Sequence, residues 1–170
     1  MPDITDKQKA FEFQLDILKK ELDVLNSCID KIDTLTQGYK YWTIGLWSGS
    51  IILALGKDAT DFKGKFLLTA IIPILFWVLD AGWRGIQRRF IYRTGKISNF
   101  INSPNYLQSF ETKEIIGLKL YDLTVNLFDD DDEKNKFKQF ISFKKTFRFK
   151  TVAIFYLGLI LISIGLYFYK

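Results

Sequence analysis

The sequence predicts an all-α membrane protein with three transmembrane helices, and three observations lead to this prediction. The apolar residues collect in three blocks that contain almost no charge, whereas the elements of a soluble domain mix apolar and polar residues at a regular spacing. A heptad repeat of apolar residues precedes the first block. Aromatic residues make up 16% of the chain, and such rings are enriched where membrane helices meet the lipid surface.

The composition excludes several classes of protein site. The chain contains no His and a single Cys, so it lacks His-dependent catalytic triads, His metal ligands and paired-cysteine zinc motifs. We therefore expect no catalytic residues, no metal and no cofactor, and we expect that the protein is not an enzyme. The net charge of +5 we interpret as attraction to anionic lipid rather than to nucleic acid.

Residues 1–40 are predicted to form a cytoplasmic amphipathic helix that ends near Gly38. Its apolar residues recur at intervals of four and three, which is the spacing of a coiled-coil seam. The seam packs either on the protein's own cytoplasmic region or between subunits, whereas its polar face is not basic enough to favour a membrane-surface helix. The candidate oligomer or packing residues in this seam are Leu15, Leu18, Leu22, Leu25 and Ile29.

The first two apolar blocks, 41–56 and 66–83, are predicted to form a transmembrane hairpin within 41–83. A helix needs about 20 apolar residues to cross a bilayer, and the first block is slightly short by this measure. Gly45 and Gly49 form a GxxxG pattern inside it. Because glycines at this spacing let helix backbones approach closely, both are candidates for packing within the chain or between chains.

The second block ends in charged residues that share one helix face. Asp80, Arg84 and Arg88 are spaced i, i+4 and i+8. A carboxylate near the end of a span is costly unless it is paired or hydrated, and Arg84 can supply the partner. Two interpretations follow, namely a local ion pair at the membrane interface, or an Asp80 that faces a subunit boundary or a water-filled passage.

Residues 84–150 are predicted to be a basic helix followed by a mostly helical cytoplasmic region. Apolar residues between Ile116 and Leu127 fit either a helix or two short alternating stretches, and we favour the helix. The acidic run 129–133 is predicted to be a solvated loop. A calcium site is the alternative, but the run lacks the spaced acids, the central Gly and the distant Glu of an EF-hand. The last block, 151–170, is predicted to be the third transmembrane helix.

Basic residues near the block ends predict the orientation of the chain. Lys and Arg are enriched in cytoplasmic loops next to membrane spans, and both clusters between the second and third blocks must lie on one side. We therefore expect a cytoplasmic N-terminus and a C-terminus outside. The two clusters are Arg84, Arg88, Arg89, Arg93 and Lys96, and Lys144, Lys145, Arg148 and Lys150.

One short motif and the overall layout resemble known bacterial membrane proteins. The motif is Phe76 to Trp83 (FWVLDAGW), followed by Gln87 to Arg93 (QRRFIYR). It resembles small bacterial membrane proteins in which a span ends in an aromatic residue and Asp-Ala before an Arg-rich helix. Over residues 10–100 the layout resembles the SLATT-type two-span effectors of anti-phage systems, from which the third block departs. The resemblance implies a bacterial inner membrane, self-assembly and membrane damage, without catalytic residues.

Two functional hypotheses follow. The first is a bacterial inner-membrane protein that self-associates and acts as a pore-forming or membrane-perturbing effector in anti-phage defence. The alternative is a membrane anchor or scaffold that recruits a soluble partner through its cytoplasmic helices. The expected partners are membrane lipid, further copies of the chain and a soluble defence-system protein, and we expect no nucleic acid.

Overall fold

The computed structural model describes residues 4–55, 67–123, 125, 128 and 130–168. In this part of the chain all regular structure is helical and no strand occurs, so the all-α prediction is confirmed there. The first helix does not end near Gly38 as predicted but continues to Leu55. The helices are α1 (Ile4–Leu55), α2 (Ile71–Ile101), α3 (Pro104–Thr112), α4 (Asp131–Phe140), α5 (Phe143–Phe147) and α6 (Lys150–Phe168).

The chain divides into two compact units. The first unit comprises Met1–Lys31 and Gln87–Phe140, and the second comprises Ile32–Ile86 and Ile141–Lys170. Helices α1 and α2 are therefore both divided between the two units. Each unit has its own core, and the two are described in turn.

The heptad seam of α1 forms the core of the first unit. Leu18 and Leu25 are buried against Ile97 and Phe100 of α2. Burying a side chain of this size stabilises a fold by about 1.5–3 kcal/mol, so these four residues supply much of the unit's stability. The seam therefore packs against the protein's own helix in this structure. Partly buried residues complete the core, namely Leu22, Phe90, Tyr106, Ile115, Leu118, Leu120 and Leu123.

The segment after α3 is irregular, so the helix favoured for Ile116–Leu127 is wrong over the described residues 116–123. The backbone enters the left-handed region at Gly117 (φ 80°) and at Tyr121 (φ 59°). A right-handed helix cannot pass through such residues. The segment instead closes over the seam, and Leu118 and Leu120 pack on the core there. Leu127 lies outside the described residues.

The acidic run begins a helix rather than forming only a loop. Asp131, Asp132 and Glu133 lie in the first turn of α4, where the helix dipole favours negative charge. The Asp130 carboxylate accepts a hydrogen bond of 2.6 Å from the Glu133 backbone N–H, which satisfies one of the free donors at the helix start. The loop prediction is thus wrong for 131–133, and Asp129 lies outside the described residues.

In the second unit, helices from all three apolar blocks meet at the Ser163 hydroxyl. It accepts hydrogen bonds from Trp47 Nε1 at 2.8 Å and Thr69 Oγ1 at 3.1 Å, and it donates to the Leu159 carbonyl. Farther along both helices, Ala54 of α1 packs with Leu166 of α6. Helices α1 and α6 therefore point in the same direction here. The first and third of three successive membrane crossings would also point in the same direction.

Two helical segments are long and apolar enough to cross a membrane, namely Leu67–Ile101 and Asp131–Phe168. Only 28% and 17% of their apolar windows are buried within the chain, whereas the core helix of a soluble protein is mostly buried. Block 41–56 falls mainly in the last part of α1, which does not meet the same criterion over its described residues. Two candidate spans are therefore present in the described part of the chain, rather than the three expected.

We expect Leu25→Ala to destabilise the first unit by about 2–5 kcal/mol, because it opens a cavity in the core. The midpoint of thermal unfolding should fall by at least about 4 °C, as measured by far-UV circular dichroism of the full chain in detergent. Val24→Ala is the matched control, because Val24 is the neighbouring residue and is 40% exposed. Equal losses in both variants would contradict the assignment of the seam to the core.

Candidate functional site

The candidate site is a buried charged cluster around Asp80 in the second unit. Asp80 has no solvent-exposed surface. Its Oδ1 atom lies 3.5 Å from Arg84 Nε, and its Oδ2 atom accepts a hydrogen bond of 3.3 Å from the Tyr156 hydroxyl of α6. The structure thus places Arg84 beside Asp80, as the spacing of the two residues predicts.

Arg84 links this carboxylate to α1. Its Nη1 atom donates to Asp33 Oδ1 at 3.1 Å, and its Nη2 atom donates to Thr36 Oγ1, also at 3.1 Å. Lys40 of α1 adds a further attractive interaction with Asp80. Two carboxylates and two cations therefore share the cluster, and their formal charges balance.

Some polar atoms of the cluster form hydrogen bonds, and one buried carboxylate oxygen does not. Asp80 Oδ1 is buried and accepts no hydrogen bond from the described residues, so this oxygen is held by charge, chiefly that of Arg84. Thr43 is fully buried beside the cluster, and its hydroxyl donates to the Tyr39 carbonyl at 2.6 Å. Such an arrangement holds charge inside a helix bundle, where a lost partner is costly.

Arg88 belongs to the first unit, where its guanidinium carbon lies 4.7 Å from the ring centroid of Phe140. The contact has the geometry of a cation–π interaction. Of the three predicted residues, Asp80 and Arg84 thus pair within the second unit, whereas Arg88 has an aromatic neighbour in the first.

Sequence reasoning missed the aromatic residues beside the cluster. Trp77 stacks on Phe147 at a centroid distance of 4.0 Å and donates its indole N–H to the Phe147 carbonyl at 3.1 Å. Trp77 and Tyr156 belong to one buried group. Tyr156 could have indicated this contact from the sequence. It lies within an apolar block, and a buried Tyr hydroxyl needs a polar partner.

Sequence reasoning also missed a buried ion pair in the first unit. Arg93 Nε and Nη2 donate to the two Glu21 carboxylate oxygens at 2.7 and 3.1 Å. The same oxygens accept the backbone N–H groups of Tyr121 and Asp122 at 2.8 and 3.1 Å. The pair therefore fixes α1, α2 and the irregular segment together. Its signal was a Glu among the leucines of the seam, between Leu18 and Leu25.

The remaining packing candidates fall into two groups. Leu15, Leu22 and Ile29 are half-buried on the inward side of α1 in the first unit. A Cβ atom added at Gly45 or Gly49 would meet nothing within 4 Å among the described residues packed around it. The described part of the chain therefore leaves both glycines uncovered.

Comparisons with known proteins add no family to these observations. No protein-family model matches the sequence, and no curated protein or solved structure matches it significantly. Among the described residues, no three His, Cys, Asp or Glu side chains lie close enough together to hold a metal ion. The resemblance to SLATT-type effectors therefore rests on the Phe76–Trp83 motif and the layout alone.

We expect Arg84→Met to cost about 3–5 kcal/mol of unfolding free energy, because it removes the cation in direct contact with the buried Asp80 carboxylate. Arg88→Met should cost only about 0.5–1 kcal/mol, since it removes one cation–π contact. Unfolding by sodium dodecyl sulfate in mixed micelles, followed by circular dichroism, measures both. A larger loss for the Arg88 variant would show that the Asp80–Arg84 pair does not hold the second unit together.

Proposed function

We propose that this chain is a small bacterial inner-membrane protein that self-associates and acts as a pore-forming or membrane-perturbing effector. One observation carries the proposal: the helices from the three apolar blocks contact one another at Ser163, while apolar side chains cover their outer surfaces. Leu53, Ile154 and Leu161 are 77%, 70% and 64% exposed. Exposed apolar surface of this kind marks a contact with a membrane or another protein. Insertion into lipid would remove this surface from water.

The proposed topology has a cytoplasmic N-terminus, a hairpin tip outside, and a C-terminus outside. The parallel course of α1 and α6 in the second unit supports it, because the first and third crossings then run in the same direction. The basic residues that precede α6 support the cytoplasmic side for its start, following the positive-inside rule. A role in anti-phage defence is proposed from the SLATT-type layout.

Self-association requires a surface other than the buried part of the seam. Leu18 and Leu25 are already buried against other residues of the same chain. The outer face of α1 in the second unit offers an alternative, because Trp42, Gly45 and Leu46 are exposed there and Gly49 is half-buried. Two glycines at this spacing allow a second helix to approach the backbone closely. We propose this face as the contact between copies.

Gly45→Leu combined with Gly49→Leu should therefore abolish self-association, because the added side chains keep the helices apart. The measurement is the protein mass in nanodiscs after correction for lipid, together with toxicity on overexpression. Gly158→Leu combined with Gly165→Leu is the matched control, because it adds the same bulk to open positions of α6. Loss of association in the α6 variant alone would contradict the α1 interface. A monomeric wild type would favour the scaffold alternative.

Asp80 is buried within the chain, so a conducting assembly that uses this residue must open the Asp80 cluster to its passage. Asp80→Asn removes one negative charge from each subunit, and charged side chains set the selectivity of such pores. We expect the reversal potential in a KCl gradient across a planar bilayer to move toward that of a less cation-selective pore. Asp23→Asn serves as the control, because Asp23 is exposed in the first unit. Unchanged currents with normal assembly would remove Asp80 from the passage.

The second hypothesis, a membrane anchor that recruits a soluble partner, also has an observation in its favour. The first unit has its own core, and it exposes large apolar side chains outside that core. Phe13 and Leu107 are 66% and 70% exposed, so both apolar side chains are available for contact with a partner. The mass measurement on the wild type separates this hypothesis from self-assembly.

A further inference from the structure

The segment Phe143–Lys150, here called the basic-aromatic segment, has an unusual charge composition. It reads FKKTFRFK, and no Asp or Glu occurs anywhere in residues 141–170. Its four basic side chains are exposed, and no ion pair joins them to any described residue. Elsewhere, by contrast, the exposed Lys136 pairs with Asp132 at 2.6 Å. No acidic residue in the described part of the chain therefore neutralises the positive charge of the basic-aromatic segment.

The basic-aromatic segment is held in place by the core of the second unit. Phe147 stacks on Trp77, whose indole N–H binds the Phe147 carbonyl. Thr146 is buried and donates its hydroxyl to the Ser142 carbonyl. The segment's exposed charges are therefore presented from a fixed backbone rather than from a free tail, which lowers the entropy lost when they bind a ligand.

Two aromatic rings of the same segment are left in contact with solvent. Phe143 is 52% exposed and Phe149 is 49% exposed. Exposed apolar rings beside cations are typical of segments that lie in the membrane interface, where the rings enter the acyl boundary and the cations meet the phosphates. Lys150 then begins α6, whose apolar window is only 17% buried.

We propose that the basic-aromatic segment is a binding surface for anionic phospholipid headgroups, with Phe143 and Phe149 inserted at the acyl boundary. The proposal rests on the proposed function, because α6 must enter the bilayer for the segment to lie at its surface. The direct connection to α6 favours lipid over nucleic acid or an acidic peptide. Each basic residue near such a surface adds attraction to anionic lipid, so the four cations act together.

The test compares phosphatidylglycerol with phosphatidylcholine. The full chain is delipidated in an uncharged detergent, and each lipid is titrated while bound lipid is counted by native mass spectrometry. We expect wild type to retain phosphatidylglycerol preferentially. The variant carrying Lys144→Gln, Lys145→Gln, Arg148→Gln and Lys150→Gln should lose that preference by at least about tenfold.

The matched control carries Lys7→Gln, Lys9→Gln, Lys20→Gln and Lys31→Gln, which remove the same charge from exposed positions of the first unit. It should keep the wild-type preference. An equal loss in the control would show that the lipid preference depends only on the net charge of the protein, and it would overturn the proposal. If the first variant loses helical content, Lys144→Gln with Lys145→Gln alone carries the test, with a smaller loss expected.

Additional measurements distinguish lipid from other anionic ligands. They also show whether a failure concerns this inference or the proposed function. Displacement of phosphatidylglycerol by millimolar inorganic phosphate, or tight binding of a single-stranded oligonucleotide that the first variant loses, would overturn the lipid assignment. Wild type that resists alkaline carbonate extraction yet binds both lipids equally would overturn this inference alone. Complete extraction from membranes by carbonate would overturn the proposed function.

Discussion

Two arginines of α2 each neutralise a carboxylate that has no exposed surface, and the helix packing depends on this pairing. In the first unit Arg93 meets Glu21, and in the second Arg84 meets Asp80. A buried charge that loses its partner costs several kcal/mol, so any slip of α2 along α1 within the first unit would be penalised. Buried ion pairs of this kind contribute more to the register of helices than to net stability, and the apolar seam supplies most of the latter.

The seam also limits how the protein can assemble. A heptad repeat is compatible with a coiled coil between chains, yet here Ile97 and Phe100 of α2 provide the complementary side chains. An intramolecular partner is present at a high effective concentration, so a second chain must displace it to bind the same surface. This is why the contact between copies is proposed for the outer face of α1 in the second unit, where the described residues leave Gly45 and Gly49 uncovered.

The two units differ in their surfaces more than in their interiors. Each buries several polar side chains, but most of the large apolar side chains that are exposed in the described residues belong to the second unit. In the second unit the buried positions include Thr43, Asp80 and Ser163, while Leu53 and Leu161 face outward. An apolar surface around a polar interior matches a hydrocarbon solvent, where backbone and side-chain polar groups must be satisfied inside the bundle. This contrast is the physical basis for proposing one membrane-embedded and one cytoplasmic unit.

The sequence by itself determined the helical class, the seam and the Asp80–Arg84 pairing, because each depends on periodicity within one helix. It could not determine that α1 continues through Gly38 to Leu55, since one glycine costs a helix only about 1 kcal/mol and packing can offset that. Nor could it identify Tyr156 or Trp77 as neighbours of the cluster, because these contacts join residues far apart in the chain. The irregular course of 113–123 was likewise decided by tertiary structure: the Glu21 carboxylate accepts the Tyr121 and Asp122 amides, and a helix over the same residues would use those amides internally.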